Sequence, residues 1–89
     1  GITLLFHAGL GGNVEIAKML KKNGAHDDRA LHAAVWYGHR DMAEWLINHD
    51  TKNVNAKWRK MTAHDLAIKE GHADIAEMLR ERGVKTTKV

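Results

Sequence analysis

Three stretches of the chain share one pattern of apolar and polar residues. Each begins with Gly and continues through an acidic residue, a large aliphatic residue, Ala, a charged residue, a large apolar residue and Leu. The stretches are Gly12–Leu20, Gly38–Leu46 and Gly71–Leu79. Their large apolar residues recur at positions i, i+3 and i+4, which is the spacing of one face of an α-helix. The pattern therefore predicts three helices, each preceded by a glycine.

The residues around each repeated glycine fit a turn between two helices. Glycine readily adopts the left-handed conformation that ends a helix. Asn13 is a good N-cap for the next helix, whereas His39 and His72 at the same position cap less well. A second apolar segment precedes each glycine and predicts a shorter helix. These segments are Thr3–Ala8, Leu31–Ala34 and Thr62–Ala67.

The predicted unit is thus a short helix, a glycine turn and a longer helix. Three such units give six helices in antiparallel pairs, an all-α fold without a buried sheet. The spacing of the units is uneven, because 26 residues separate Gly12 from Gly38 and 33 separate Gly38 from Gly71. The connection Ala25–Arg29 is shorter than the connection Asp50–Met61 by about one hairpin.

This organisation resembles the ankyrin repeat, a helix–turn–helix unit of about 33 residues that opens with Thr-Pro-Leu-His-x-Ala. Leu31–Ala34 matches the opening in the second unit, and Val54–Ala56 is similar to the segment that closes a unit. Leu4, Ala30 and Ala63 stand where the family has Pro. The resemblance implies an ankyrin-type solenoid of three repeats in a single domain, at about 1–26, 27–56 and 57–84. We expect the tail 85–89 to be frayed.

The two ends of the predicted stack differ. The first unit carries Ile2, Leu4, Leu5 and Phe6 with no residues ahead of them to cover them. Either preceding residues cover these side chains, or the side chains fold back and seal the unit. The last helix of the third unit is rich in charged residues, as a terminal unit with a polar outer face should be.

Composition excludes several classes of protein. The chain has 89 residues, 44% of them hydrophobic, a formal net charge of +3 and no Cys. Disulfides, zinc–thiolate sites and a thiol nucleophile are therefore excluded. A reducing, intracellular compartment, cytoplasmic or nuclear, fits this composition. No apolar stretch approaches the roughly 20 residues that a membrane-spanning helix needs.

No pattern indicates catalysis, a metal or a cofactor. There are seven His, but His39 and His72 lie one unit apart, about 10 Å in packed helices, which is too far for one zinc ion. The chain has no Ser, and adjacent side chains such as His64 and Asp65 point about 100° apart on a helix. The glycines of Gly9–Gly12 lack the Lys of a phosphate-binding loop. We predict that the chain is not an enzyme.

The few aromatic residues suggest a binding surface. Trp45 lies on the apolar stripe of its helix and is predicted to be core. Trp36 and Tyr37 end a short helix just before Gly38, and Trp58 lies in the connection expected to form a projecting hairpin. Trp, Tyr and Arg are enriched at binding hot spots. The predicted partner-binding residues are Leu10, Trp36, Tyr37, Lys57, Trp58, Arg59, Lys60, Lys69 and Glu70.

The resemblance implies a non-catalytic protein–protein interaction module that uses its concave face and hairpin tips. The basic residues Lys52, Lys57, Arg59 and Lys60 are either a solvated loop or a guide for an acidic partner. Two alternatives stay open. The chain is a regulatory or assembly appendage of a larger enzyme, or a weak nucleic-acid-binding module in which Trp58 stacks on a base. We expect a monomer, or part of a larger chain, with a protein partner.

Overall fold

A computed structural model describes residues 3–27, 29–49 and 55–84 of the chain. In these residues six α-helices form three consecutive pairs, which we term units 1, 2 and 3. The helices are α1 (Leu4–Gly11), α2 (Val14–Lys22), α3 (Arg29–Trp36), α4 (Arg40–His49), α5 (Ala63–Lys69) and α6 (Ala73–Glu81). The all-α prediction is confirmed. The predicted features at Ile2, Lys52, Val54 and 85–89 lie outside the described residues.

The helices stack in two layers. In the first layer α1 packs against α3, and α3 against α5. In the second layer α2 packs against α4, and α4 against α6. The stack measures 38 × 21 × 20 Å along its principal axes. The main packing contacts of each unit are therefore with its neighbours, which is the arrangement of a solenoid. The unit boundaries at 1–26, 27–56 and 57–84 stay a prediction.

The turns between paired helices follow the expected chemistry. Gly12, Gly38 and Gly71 have φ values of 69°, 75° and 80°, in the left-handed region. The Asn13 side chain accepts a hydrogen bond from the Ile16 backbone N–H at 3.0 Å. By contrast, the His72 side chain makes no capping hydrogen bond. The predictions for the glycines, for Asn13 and for His72 are confirmed.

The core lies between the layers and is built around small residues. Ala17, Ala43 and Ala76 are buried in the middle of the second-layer helices. In the first layer, a Cβ added to Gly9 would lie only 2.5 Å from the Ala30 carbonyl oxygen. Gly9 therefore permits the close approach of α1 and α3. In the sequence, Gly9 belongs to the glycine-rich stretch Gly9–Gly12, and nothing there predicts this contact.

Trp45 packs against the core, as predicted, but it is not fully buried. It is half-buried at the edge of the core, and its ring centroid lies 5.1 Å from that of His49. Trp45 lies on the second-layer helix α4, and part of its surface stays exposed. Truncation should therefore cost less than the 3–5 kcal/mol typical of a buried Trp.

A buried carboxylate joins units 1 and 2. Asp27 accepts hydrogen bonds from the Thr3 hydroxyl at 2.7 Å and from the Arg29 backbone N–H at 2.9 Å. The Arg29 guanidinium adds two further hydrogen bonds, both at 3.2 Å. Burial alone would raise the pKa of Asp27, but the hydrogen bonds from Arg29 and Thr3 together outweigh it and lower that pKa. Thr3 also caps α1 through the Phe6 N–H, so this contact fixes where unit 1 begins.

Candidate functional site

A two-residue hairpin precedes unit 3. The Trp58 backbone N–H donates to the Met61 carbonyl at 2.9 Å, and the Met61 N–H donates to the Trp58 carbonyl at 3.1 Å. Arg59 and Lys60 form the turn with φ values of 54° and 67°. Asn and Gly are usual at such positions, and a left-handed conformation costs other residues about 1–2 kcal/mol each. The strained turn therefore carries two adjacent cations.

From the sequence we expected Trp58 to project with its hairpin, but it does not. Its ring packs inward, with centroid distances of 5.3 Å to Trp36, 6.0 Å to Phe6 and 6.2 Å to His32. The His32 Nε2–H donates a hydrogen bond to the Met61 carbonyl at 3.0 Å, which fastens the hairpin to α3. The connection between units 1 and 2 is short, and Trp58 fills the space beside the first-layer helices.

The aromatic side chains differ in exposure, from half-buried to exposed. Trp58 and Trp36 are half-buried, and Trp36 also packs against the core. The Tyr37 ring stacks on Trp36 with a centroid distance of 6.0 Å and an interplanar angle of 19°. Tyr37 is 60% exposed. The rings therefore form one continuous surface that ends in an accessible tyrosine.

Charged side chains border these rings. The Arg59 guanidinium carbon lies 5.0 Å from the centroid of the Trp58 ring, within range of a cation–π interaction. Lys69 and Glu70 lie at the end of α5. A groove forms between the hairpin and the C-terminal ends of α3 and α5, and we term it the aromatic groove. It is lined by Trp36, Trp58, Arg59, Met61, Leu66, Lys69 and Glu70.

The structure brings together five of the nine predicted binding residues in the aromatic groove, and Tyr37 joins them by stacking on Trp36. Lys57 and Lys60 are exposed but do not line the groove. Leu10 is half-buried, and its carbonyl accepts a hydrogen bond from His39 Nε2 at 3.0 Å. Leu10 does not line the groove, and its part in binding stays a prediction.

Sequence reasoning missed two apolar residues that line the groove. Leu66 lies at a core position of the repeated pattern and is buried, although it lines the groove. Met61 follows the turn directly, and its carbonyl is the one bound by His32. The signal in the sequence was a His within the apolar segment Leu31–Ala34, because a polar side chain among core residues needs a hydrogen-bond partner.

The histidines have structural roles where hydrogen bonds define them. His32 and His39 each donate from Nε2 to a backbone carbonyl of another unit or connection. In the part of the chain that the structure describes, no group of three or more metal-ligating side chains occurs. Among the same residues, no helix is long and apolar enough to cross a membrane. The site offers aromatic contact and charge.

Comparison with known proteins identified a family. A family model of ankyrin repeats in three copies matches residues 5–89. That match confirms the resemblance drawn from the repeated glycines and the helix openings. A search of curated proteins found no match to the chain.

Proposed function

Because the chain belongs to the ankyrin repeat family, whose repeats are generally protein–protein interaction modules, we propose that it is a non-catalytic module for binding a partner protein. The partner would dock on the aromatic groove and on the exposed side chains around it. The proposed contact residues are those predicted from the sequence: Leu10, Trp36, Tyr37, Lys57, Trp58, Arg59, Lys60, Lys69 and Glu70.

The observation that carries this proposal is the exposed Tyr37 stacked on a half-buried Trp36. A rigid aromatic pair presents a large apolar area and loses little conformational entropy when it is covered. Trp36 is held by the core, so it supports the ring above it without needing to move. Binding energy concentrates at such anchors, and the contacts around them exclude water.

The charges around the groove favour an acidic partner segment. Arg59 and Lys69 line the groove, Lys57 and Lys60 are exposed in the connection that carries Trp58, and Glu70 is the acidic residue among the proposed contacts. Charges at the rim of an interface mainly raise the association rate and fix the orientation of the partner. Two of the cations are presented by the strained turn, where Asn and Gly would cost less. That choice of residues supports a role for the cations themselves.

The position of Trp58 does not favour the nucleic-acid alternative. It needs Trp58 to stack on a base, but Trp58 is half-buried against Phe6, His32 and Trp36. Binding of a single-stranded oligonucleotide with a steep dependence on salt would favour it. The other alternative is a regulatory or assembly appendage of a larger enzyme. It would be favoured if the partner protein is an enzyme whose activity changes when the chain binds.

The proposal is tested by using the chain as bait, identifying the retained protein and measuring its affinity by calorimetry. Replacing exposed Tyr37 with Ala, or Arg59 with Glu, should weaken binding by about 10- to 100-fold and leave the fold intact. Matched charge reversals on the other layer, Lys18→Glu and Glu77→Lys, should change affinity less than about threefold. The opposite ranking would show that the partner uses the second-layer helices.

A further inference from the structure

The guanidinium of Arg59 is held in place by the aromatic rings. Its carbon lies 5.0 Å from the centroid of the Trp58 ring. That ring is itself packed against Phe6, His32 and Trp36. The Arg59 backbone keeps a φ of 54°, although this conformation is unfavourable for a residue with a Cβ. The folded chain therefore fixes the position of a cation that a long, exposed side chain would otherwise not keep.

Arg59 has no carboxylate partner in the part of the chain that the structure describes. By comparison, Arg29 meets Asp27 at 3.2 Å. Arg82 meets Glu44 at 2.9 Å. Arg59 instead contacts the face of a ring, and such a contact needs none of its five N–H donors. A planar set of donors on an exposed side chain is therefore available to an acceptor from another molecule.

The apolar part of the aromatic groove is small. Trp36, Trp58, Met61 and Leu66 line a cavity of about 70 Å³ together with Arg59. An apolar cavity of about 150 Å³ holds benzene, so a space half as large accepts an aliphatic group and not another aromatic ring. The groove therefore favours an aliphatic side chain next to the guanidinium.

Electrostatics give an acidic group and an apolar group different places in the groove. The C-terminal ends of α3 and α5, where helix dipoles are negative, border the groove, and Glu70 adds a full negative charge. An anion is therefore disfavoured close to these helix ends. Arg59 lies on the hairpin, away from both helix ends in sequence, and offers positive charge. A carboxylate is thus directed to Arg59, and the space near the helix ends takes an uncharged group.

We propose that the aromatic groove binds a partner segment in which a carboxylate side chain lies next to a branched aliphatic side chain. The carboxylate accepts two hydrogen bonds from the Arg59 guanidinium, and the aliphatic side chain packs against Met61 and Trp36. Such paired hydrogen bonds are the geometry that distinguishes Arg from Lys. A basic side chain is disfavoured, because Arg59 already occupies the Trp58 ring. This inference rests on the proposed function, since it names the chemistry of what the groove binds.

The test uses capped dipeptides as probes of the whole chain. Glu-Leu and Leu-Glu, each N-acetylated and C-amidated, carry the two groups in both orders, and Gln-Leu and Leu-Gln are the uncharged controls. Binding is followed by NMR through the indole N–H groups of Trp36 and Trp58. We expect an acidic dipeptide to saturate with a Kd of about 1–10 mM, and its Gln counterpart to bind at least about 10-fold more weakly. A smaller difference, or no saturation by about 50 mM, would overturn the proposal.

Two matched variants test the guanidinium itself. Arg59→Lys keeps the charge and the left-handed backbone but removes the planar set of donors, and we expect it to weaken the acidic dipeptide at least about fivefold. Arg40→Lys makes the same exchange at an exposed arginine at the start of α4 and should change affinity less than about twofold. If Arg59→Lys loses no more affinity than Arg40→Lys, the groove attracts negative charge without forming the paired hydrogen bonds, and the assignment is wrong.

The dipeptides also separate this inference from the proposed function. If the chain retains a protein partner through Tyr37 and no dipeptide binds, the partner docks by other contacts and only this inference fails. If an acidic dipeptide binds as expected while the chain retains no protein, the proposed function fails and the chemistry of the groove stands.

Discussion

Units 1 and 3 carry nearly the same apolar residues in opposite surroundings. Ile16 is 45% exposed, whereas the aligned Ile75 is 1% exposed. Met19 is 62% exposed, whereas the aligned Met78 is 3% exposed. The apolar stripe of each unit faces back along the stack, so unit 3 is covered by unit 2 and unit 1 is not covered within the described chain. Helical periodicity therefore identifies the packing face, but the neighbouring unit decides whether that face is buried.

The largest expected effect comes from truncating the aligned isoleucines. Ile75→Ala should lower the free energy of unfolding by about 3–4 kcal/mol, because it removes buried carbon atoms and leaves a cavity. Ile16→Ala should lower it by less than about 1 kcal/mol, because that side chain already meets solvent. Urea denaturation of both variants at low protein concentration measures the difference.

The m-value provides the control for this pair. It should be unchanged in both variants, since neither alters the surface exposed on unfolding by much. Equal losses for Ile16→Ala and Ile75→Ala would contradict the comparison and would mean that unit 1 is as well covered as unit 3.

The second effect concerns the contact that joins unit 1 to the rest of the stack. Asp27→Asn should cost about 2 kcal/mol at pH 7, because a buried carboxylate that accepts hydrogen bonds from Thr3 and Arg29 loses its charge. Asp74→Asn is the matched control, since Asp74 is exposed in the first turn of α6, and it should cost at most about 1 kcal/mol.

The dependence on pH gives a second measurement for Asp27. Its folded-state pKa is lowered from the ordinary value of 3.8 by the hydrogen bonds from Arg29 and Thr3, which outweigh burial. The stabilisation is therefore fully present above pH 3.8 and is lost as the pH falls through the lower folded-state pKa. The gap between wild type and Asp27→Asn should be constant near neutral pH and should narrow in acid. A gap that widens in acid would contradict the assignment.

The fold could be predicted from the sequence because its signals are local. The glycine turns, the Asn13 cap and the helical spacing each depend on a few neighbouring residues. The contact between Gly9 and Ala30 could not be predicted, because it depends on how closely two helices that are distant in sequence approach. The Asp27 contact was missed for the same reason, since Thr3 lies 24 residues away from it.

The third effect is local and dynamic. Unit 1 has one covered side, whereas unit 2 lies between two units, so backbone opening should be easier in unit 1. We expect amide hydrogens of α2 to exchange at least about 10-fold faster than those of α4 in dilute protein. Equal or greater protection of α2 in dilute protein would show that the exposed face of unit 1 does not weaken it.

Trp36, Trp58, Arg59, Lys69 and Glu70, five of the residues predicted to bind a partner, line one groove. Their role in binding stays a prediction, and the groove itself could not be predicted. The inward direction of Trp58 could not be predicted, because it depends on a turn in which Arg and Lys adopt left-handed conformations. Local preferences disfavour those conformations for both residues. Trp45 was assigned to the core because spacing locates a face and does not measure how much of a large ring that face encloses.

The smallest expected effect on stability concerns the strained turn that precedes unit 3, which has no counterpart described before unit 1. Lys60→Gly should raise the free energy of unfolding by about 1 kcal/mol, because glycine adopts the φ of 67° without the contact that Cβ makes. Lys57→Gly is the control, since Lys57 is exposed in the same connection and has no positive φ, and it should stabilise nothing. Thermal denaturation at high salt separates the backbone effect from the loss of a cation. If Lys60→Gly destabilises the chain at high salt, the lysine side chain makes a contact whose stabilisation exceeds the strain. The main role of Lys60 would then be to stabilise the turn and not to present a positive charge.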